Sequence, residues 1–542
     1  MGLMAINIER ALDMTKAPAF TRQHAAKYLQ RGFKALLARD LQEASGCAQL
    51  VLKYMPELAE AHFLVGLIAL DTSDWAAARK AFSSVVNVDK THAAAWAQLA
   101  RVLVMTGDYN GADKALAKAV KLGSDDPLVL DVIGTVYTLI GDQDAALEYF
   151  DRACAGADSP VFHLNRAKCL VFHGDFNIAR DALEKVLSLQ PQNTQAHWIL
   201  SRLQKATDLD HVNNMLDLVE KFQKDSPPTA YLYYGLGKEY EDMEMWPEAF
   251  QAYQSGGRVR RAQVNYSEAD EIETFKAFEE TFTQEWLANA GDGYDTQSPI
   301  FIIGQPRTGT TLVERIITAR DDVFSAGELQ QFGMAVKRMS GAASSGMISA
   351  DAVRAAGGID LAELGQAYMD TTRVRRSNLA HFVDKLPVNY LYTPLIAAAL
   401  PGAKIIHVTR DAMDSCFSSF KQFFADAYFH SYDQGEMARH HVRYRKLMDH
   451  YRSVLGDRMI DVAYEDVVAD TEGQARRLID FLELSWQDAS LEFHKQKTAV
   501  TTASAAQVRE KAHSRSVGKW RRFENELAPM TKILSRAGML NI

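Results

Sequence analysis

Small residues return along the first third of this chain at a fixed interval, and that interval restricts the fold more than any other feature. Gly32, Gly66, Ala100, Gly134 and Ala167 stand 34, 34, 34 and 33 residues apart. Twelve residues after each comes a second small residue, at Ala44, Ala78, Ala112, Ala146 and Ala179. Four positions further on stands Ala48, Phe82, Leu116, Phe150 or Leu183. A self-similar period of this length marks stacked helical pairs that bury one continuous core between neighbours. Glycine or alanine in the first helix lets the second approach closely, and the residue after the second small position fills the remaining gap. The turns Gly107-Asp108-Tyr109, Gly141-Asp142-Gln143 and Gly174-Asp175-Phe176 separate the members of each pair.

The pattern resembles the tetratricopeptide repeat, with Trp96 at that repeat's first-helix aromatic position and Pro191 at its closing proline. It weakens between Asp208 and Lys224 and returns in register at Gly237, Ala249 and Tyr253, with Trp246-Pro247 in the turn. Six or seven helical pairs are therefore expected, one of them degenerate, stacked as an all-α solenoid over residues 21–265. Such a solenoid presents a concave surface that takes an extended peptide or a partner helix, or it serves as a scaffold or dimerising arm for the domain after it. Residues 266–297 read as a helical linker whose polar stretch Gly291 to Ser298 forms the junction, and 298–542 as a second domain.

A chain of 542 residues exceeds what one core normally supports, which agrees with this division. The formal net charge of -9 argues against nucleic acid as a partner, because displacing counterions from phosphate needs an excess of Lys and Arg. Charges at Glu9, Arg10, Asp13 and Lys16 interrupt any signal-peptide core, and Pro394 and Pro401 interrupt the most apolar run, so no membrane span is expected. The four cysteines, Cys47, Cys154, Cys169 and Cys416, have neither metal-site nor disulfide spacing. Free thiols in a reducing cytoplasm are the expectation.

The second domain opens on chemistry. Pro299 to Ile303 is a short apolar run of the kind buried in a parallel sheet, and Leu312, Ile316 and Ile317 recur at helical spacing after it. Between them lies Gly304-Gln305-Pro306-Arg307-Thr308-Gly309-Thr310-Thr311. This matches the phosphate-loop pattern GxxxxGK[ST] except that Thr310 stands where the lysine would be. Backbone N–H groups and a helix N-terminus still hold a phosphate, since that depends on geometry and dipole. A nucleoside triphosphate with magnesium would be poorly neutralised, whereas a donor with one phosphate here and a less charged cargo, met by Arg307, fits. A sulfuryl group is such a cargo, and no metal is called for.

A second apolar strand, Ala403 to Val408, ends in Thr409-Arg410-Asp411 and leads into a helix carrying Ser418. Ligands of open parallel sheets sit beyond the carboxyl ends of the strands, so Arg307 and Arg410 can serve one crevice. Arg410 suits a bidentate grip on an anion, and the Ser418 hydroxyl, two helical turns along, can face the same group.

Together Pro306 to Leu312, Val408 to Asp411 and Ser418 resemble the sulfotransferase superfamily that uses 3′-phosphoadenosine 5′-phosphosulfate (PAPS) and releases 3′-phosphoadenosine 5′-phosphate (PAP). The resemblance covers Ser298 to about Trp520 and extends to bacterial sulfotransferases that carry tetratricopeptide repeats and to protein-tyrosine sulfotransferases. It implies an α/β domain with a P-loop-type parallel sheet, in which Arg307, Thr308, Gly309, Thr310 and Thr311 bind the 5′-phosphosulfate and Arg410 and Ser418 the 3′-phosphate. By the same resemblance Glu328, within Ala326-Gly327-Glu328-Leu329, is the catalytic base. Lys385, within Asp384-Lys385-Leu386-Pro387, touches the transferring group, as does Arg307. Tyr464 packs near the adenine, and Ser504 and Lys519 in a closing loop complete the donor contacts, with Ser504 also catalytic. Thr308 replaces the usual serine, and Gln422 stands where a further basic residue is sometimes found, with Lys421 beside it.

The implied function is transfer of a sulfuryl group from PAPS to an acceptor hydroxyl, with a peptide or protein tyrosine favoured and a glycan, lipid or small molecule as the alternative. A phosphate-loop kinase or nucleotidase, or an inactive adaptor, are the readings from other classes. Two further stretches read as structural. Arg439 to Lys446 should form one solvated helical face, with the adjacent His440 and His441 not aimed at a common ligand. Ser340 to Gly358, rich in Gly, Ala and Ser, should be a mobile loop.

Overall fold

Asp, placed at the end of a repeat turn, starts the next helix by capping it. The side chains of Asp40, Asp74, Asp108 and Asp142 accept from the backbone N–H of Glu43, Ala77, Gly111 and Ala145 at 2.9–3.1 Å, satisfying donors the first helical turn would otherwise leave open. The structure is a computed structural model that describes residues 20–342, 346–496, 498–502 and 507–540. Among these the repeats form seven helix pairs. The first three are Arg22–Leu37 with Leu41–Tyr54, Ala59–Asp71 with Trp75–Val88, and Ala93–Met105 with Tyr109–Leu122. Pro127–Ile140 precedes Gln143–Gly156, and Pro160–His173 precedes Phe176–Leu189. Thr194–Leu203 with Asp210–Phe222, and Thr229–Asp242 with Trp246–Arg261, complete the array.

The close approach inferred from the period is visible atom by atom. A Cβ at Gly66 would lie 2.5 Å from the Phe82 ring, so the small residue and the large one sixteen positions later occupy one volume. The degenerate pair departs because Met215, Val212 and Val219 take over the packing against Leu232 and Leu236, and six residues separate its helices. Met adapts to an irregular gap, which is why the small-residue signal fades there.

The chain forms two compact units, up to Leu139 and from Ile140 onward. The second contains the later repeats and the sheet. Tyr234, Phe250 and Tyr253 of the last repeat pair share one buried cluster with Met413, Phe417, Phe420, Phe423 and Phe523. Residues 266–297 contain the helices Glu268–Thr281 and Gln284–Ala288, and Phe275, Phe278 and Phe282 are buried in the main core beside the sheet.

Five strands, β1 (Pro299–Gly304), β2 (Val323–Ser325), β3 (His381–Asp384), β4 (Lys404–Thr409) and β5 (Met459–Ala463), pair in parallel in the order β2-β3-β1-β4-β5. All six residues of β1 are buried. Its alternate side chains feed two cores: Phe301 and Ile303 meet Leu329, Phe332 and Tyr368 on one face, while Ile300 and Ile302 meet Val313, Ile316 and Ile317 on the other. A strand covered on both faces reads as an unbroken apolar run, as this one does. β1 has a neighbour on each side, and Gly304 pairs with Val408, so the ends of β1 and β4 are adjacent at the point where the strand order reverses.

Two expectations are corrected. The run Arg439 to Lys446 is not a solvated face. It lies on the helix Gln434–Leu455, where His440 and His441 are buried, Arg439 pairs with Glu268 at 2.7 Å, and Arg443 pairs with both Glu268 and Glu271. The acidic first turn of Glu268–Thr281 draws these cations inward, a partner that no local pattern reveals. His440 also meets Glu271 at 2.8 Å and stacks on His430 with ring centroids 3.4 Å apart. The Gly/Ala/Ser-rich stretch contains a helix, Ala350–Ala356, whose Ala352 and Val353 enter the core with Ile348. Residues 343–345 of it lie outside the described residues. No helix among the described residues is long and apolar enough to cross a membrane.

Candidate active site

Each strand of the sheet delivers one of the singled-out residues at its carboxyl end. β1 runs into the loop with Arg307, β2 leads to Glu328, β3 to Lys385, β4 to Arg410 and β5 to Tyr464. In a parallel sheet these ends share one edge, which places two arginines, a lysine, a glutamate and a tyrosine along it.

The loop after β1 holds Arg307 at φ 70° and Gly309 at φ 100°. Gly309 is required twice over, because its φ favours glycine and a Cβ there would lie 2.6 Å from the Tyr464 ring. It begins the helix Thr310–Thr318 without a side-chain cap; the Leu312 N–H donates to the Gly309 carbonyl at 2.9 Å, and the N–H groups of Thr310 and Thr311 are of the kind that can hold an anion. Thr308 turns inward and donates to the Gln305 carbonyl at 2.8 Å, which ties the loop to itself. Thr310 and Thr311 are buried, and Thr311 Oγ1 lies 3.3 Å from Thr502 Oγ1. Burial, together with the guanidinium groups of Arg202 and Arg410, pushes Arg307 down to about 10. The Arg307 side chain also donates to Gln507 Oε1 at 3.1 Å.

Lys385 is 1% exposed yet charged, because two carboxylates face it: Glu328 at 2.6 Å and Glu314 at 3.9 Å. Burial alone would lower the ammonium, but Glu328 and Glu314 hold it above the usual lysine value. Glu314 is itself buried, accepts from Ser325 Oγ at 2.7 Å, and has its carboxyl raised by that burial. Glu328 differs from Glu314 in being 39% exposed, so only one of the two acids can reach an incoming group. Next to the lysine, Asp384 is pushed up to about 7 by burial and anchors Tyr368, Asn389 and the Leu329 N–H. It thereby fixes the backbone on both sides of the Glu328–Lys385 pair. Tyr428 faces the same carboxylate, its phenol held above the usual value by burial and by Glu328.

Arg410 abuts the loop, donating to the Arg307 carbonyl at 3.0 Å and to the Ser516 carbonyl at 2.6 Å, with its guanidinium 4.8 Å from the Tyr464 ring. The Arg410 guanidinium thus packs against the loop backbone at Arg307. Ser418 lies on the helix Ala412–Phe420, half-buried, with no hydrogen-bond partner for its hydroxyl among the described residues. The segment that follows Gln507 crosses this region: Tyr464, Gly309 and Thr311 line a cleft with Val508, His513 and Ser516, and the Gly518 N–H donates to Asp414 at 2.6 Å. Lys519 comes next, lowered by burial and by Lys421. Ser504 lies outside the described residues.

The repeats also reach this place. Val500 N–H and the Arg509 guanidinium both donate to the Phe172 carbonyl, at 2.8 and 3.0 Å, tethering both sides of the closing segment to one repeat turn. Arg202 at the end of Thr194–Leu203 acts on Arg307, and Glu241 at the end of Thr229–Asp242 holds Lys421 at 2.7 and 2.8 Å. Sequence patterns did not single out Glu314, Tyr428, Arg202, Glu241 or Gln507. Only Glu314 carried a signal: seven residues after Arg307, on the helix leaving the loop, it is the one acid of that helix.

Residues 299–488 match the Sulfotransferase family and residues 69–134 the Tetratricopeptide repeat. The chain carries a sulfotransferase-family domain together with tetratricopeptide repeats. An uncharacterised protein of Aquifex aeolicus (strain VF5) is 28% identical over 372 residues, 67% of this chain and 48% of that protein, so the chain spans about half of that relative's length. A Caenorhabditis briggsae protein named "Putative protein-tyrosine sulfotransferase" is 25% identical over 236 residues, 41% of this chain and 80% of that protein. Among solved structures, a tetratricopeptide-repeat protein of Thermus thermophilus covers 33% of this chain and 98% of its own, at 17% identity and a TM-score of 0.30.

Proposed function

We propose that the chain transfers a sulfuryl group from PAPS to an acceptor hydroxyl, with a tyrosine of a peptide or protein as the acceptor. The observation that carries this reading is the shared edge of the sheet, where a lysine-free phosphate loop, the Lys385–Glu328 pair and Arg410 stand at the ends of neighbouring strands. The sulfotransferase-family match over 299–488 supports the transfer, and the name of the Caenorhabditis briggsae relative supports the acceptor.

In the proposed reaction the acceptor oxygen attacks sulfur, a new O–S bond forms, and the bond from sulfur to the bridging oxygen of the 5′-phosphate breaks. The electron pair of that bond leaves with PAP. The acceptor proton passes to Glu328, the one carboxylate of the Lys385 pair with an exposed face. Lys385 and Arg307 meet the charge that grows on the sulfuryl and bridging oxygens, and the uncapped start of Thr310–Thr318 favours the departing phosphate. Thr308, Gly309 and Thr311 shape the loop, Arg410 and Ser418 take the 3′-phosphate, Tyr464 borders the nucleoside, and Lys519 and Ser504 complete the donor contacts. Lys385 also has a second role, because its 2.6 Å contact with Glu328 orients that carboxylate.

Incubation with PAPS labelled in the sulfuryl group and a cell extract tests the reading. Label is expected in protein, on tyrosine, and label confined to saccharide would refute the acceptor. With a responsive acceptor, Glu328→Gln should lower kcat by about 10²–10⁴-fold at little change in PAP affinity. A turnover unchanged by that substitution would remove Glu328 as the base.

A further inference from the structure

We propose that Glu241, a repeat-helix carboxylate, opposes the hold of the site on the 3′-phosphate, so that the last repeat pair sets donor and product affinity. The inference rests on the PAPS reading above. Its basis is the position of the Lys421–Glu241 ion pair. Lys421 follows Ser418 by three residues, about one helical turn along the same face, and both oxygens of Glu241 contact its ammonium, at 2.7 and 2.8 Å. Tyr253, from the partner helix of the same repeat, donates to Glu241 at 3.1 Å and fixes the carboxylate in place. The pair is 20% and 16% exposed, so the charges act on each other with little screening.

The closing segment brings the remaining cations to the same spot. Ser516 accepts from Arg410, Gly518 donates to Asp414 one turn before Ser418, and Lys519 then lies where it senses both Lys421 and Glu241. Arg515 and Arg522 add to the field at Lys519. A 3′-phosphate arriving at Arg410 and Ser418 therefore meets two lysines whose charge Glu241 already offsets. A structural tie between repeat and sheet domain would be served equally by an apolar contact, which the surrounding cluster of Phe250, Phe417 and Phe420 already supplies. A carboxylate inside a cation cluster has the further effect of weakening the grip on a second anion.

The test is calorimetric binding of PAP and of adenosine 5′-monophosphate to the full chain, for wild type, Glu241→Gln, Lys421→Met and the double variant. Glu241→Gln should bind PAP about tenfold more tightly, Lys421→Met about tenfold more weakly, and the double variant near wild type, since it carries the same net charge as the pair it replaces. Adenosine 5′-monophosphate, which lacks the 3′-phosphate, should bind all four alike. If Glu241→Gln alone does not fold, the double variant must still bind PAP more tightly than Lys421→Met. Equal or weaker PAP binding by Glu241→Gln, or an equal change for both nucleotides, overturns the inference while leaving the PAPS reading intact. A wild type that does not bind PAP overturns that reading and this inference with it.

Discussion

Replacing Lys385 by methionine removes one cation and leaves two acids facing each other. The consequences stem from burial. Lys385 is 1% exposed and Glu314 6%, so the Lys385→Met substitution leaves the Glu314 carboxylate in the interior with the Ser325 hydroxyl and the field of Arg315 to support it. Removing one partner of a buried pair costs about 3–5 kcal/mol. The 3.9 Å separation and the retained Ser325 bond place the expected loss at the lower end, about 3 kcal/mol at pH 8. Glu328 is too exposed to add much. The sign of the pH dependence is specific. The Glu314 carboxyl is already raised by burial and rises further without Lys385, so the folded variant binds a proton more readily than the unfolded chain. Stability relative to wild type is therefore present at low pH and lost as pH rises through the raised value. Urea unfolding followed by tryptophan fluorescence at pH 8 and pH 5.5 measures both. Lys385→Met should lie closer to wild type at the lower pH than at the higher, and Lys385→Met/Glu314→Gln should recover about 2 kcal/mol at the higher. Turnover should stay depressed by about 10²–10³-fold in both variants, since neither restores the charge at the transferring group. A loss under 1 kcal/mol at pH 8, failure of Glu314→Gln to rescue, or recovery of turnover in the double variant would refute this account of the Lys385 cluster.

Two other perturbations separate the donor site from its support. Arg410→Ala should weaken PAP binding by about 1.5–3 kcal/mol, read by calorimetry, because a charge-assisted contact is lost. An unchanged affinity would exclude Arg410 from the 3′-phosphate site. His441 is 2% exposed, bonded to Gln305 of the phosphate loop, and pushed down to about 3 by burial, against about 6.5 for an unfolded histidine. The unfolded chain takes up the proton first, so stability is lost as pH falls below 6.5 toward 3. Between pH 7.5 and 5.5 the loss is about 1.4 kcal/mol, measured by urea midpoints, and His441→Asn, which keeps a donor toward Gln305, should remove that part of the slope.

The amino-acid sequence alone determined the repeat period, the repeat turns at Gly107-Asp108, Gly141-Asp142 and Gly174-Asp175, the buried strand before the phosphate loop and the helix after it, and the arrival of Arg410 at a strand end. All of these are local: a turn is signalled by adjacent residues, a helical face repeats within four, and a strand with both faces covered shows itself as an apolar run. The tertiary structure decided the rest. Glu314 and Glu328 are both glutamates near the loop, and only packing buries one and leaves the other half exposed beside the same lysine. Arg439 and Arg443 read as solvated until the acidic turn of Glu268–Thr281, 171 and 172 residues from them at the bonded positions, is brought against them. Glu241 and Lys421 stand 180 residues apart and carry no mutual pattern. Charges take their meaning from what faces them in a low-dielectric interior, and that neighbour is chosen by the fold of the whole chain.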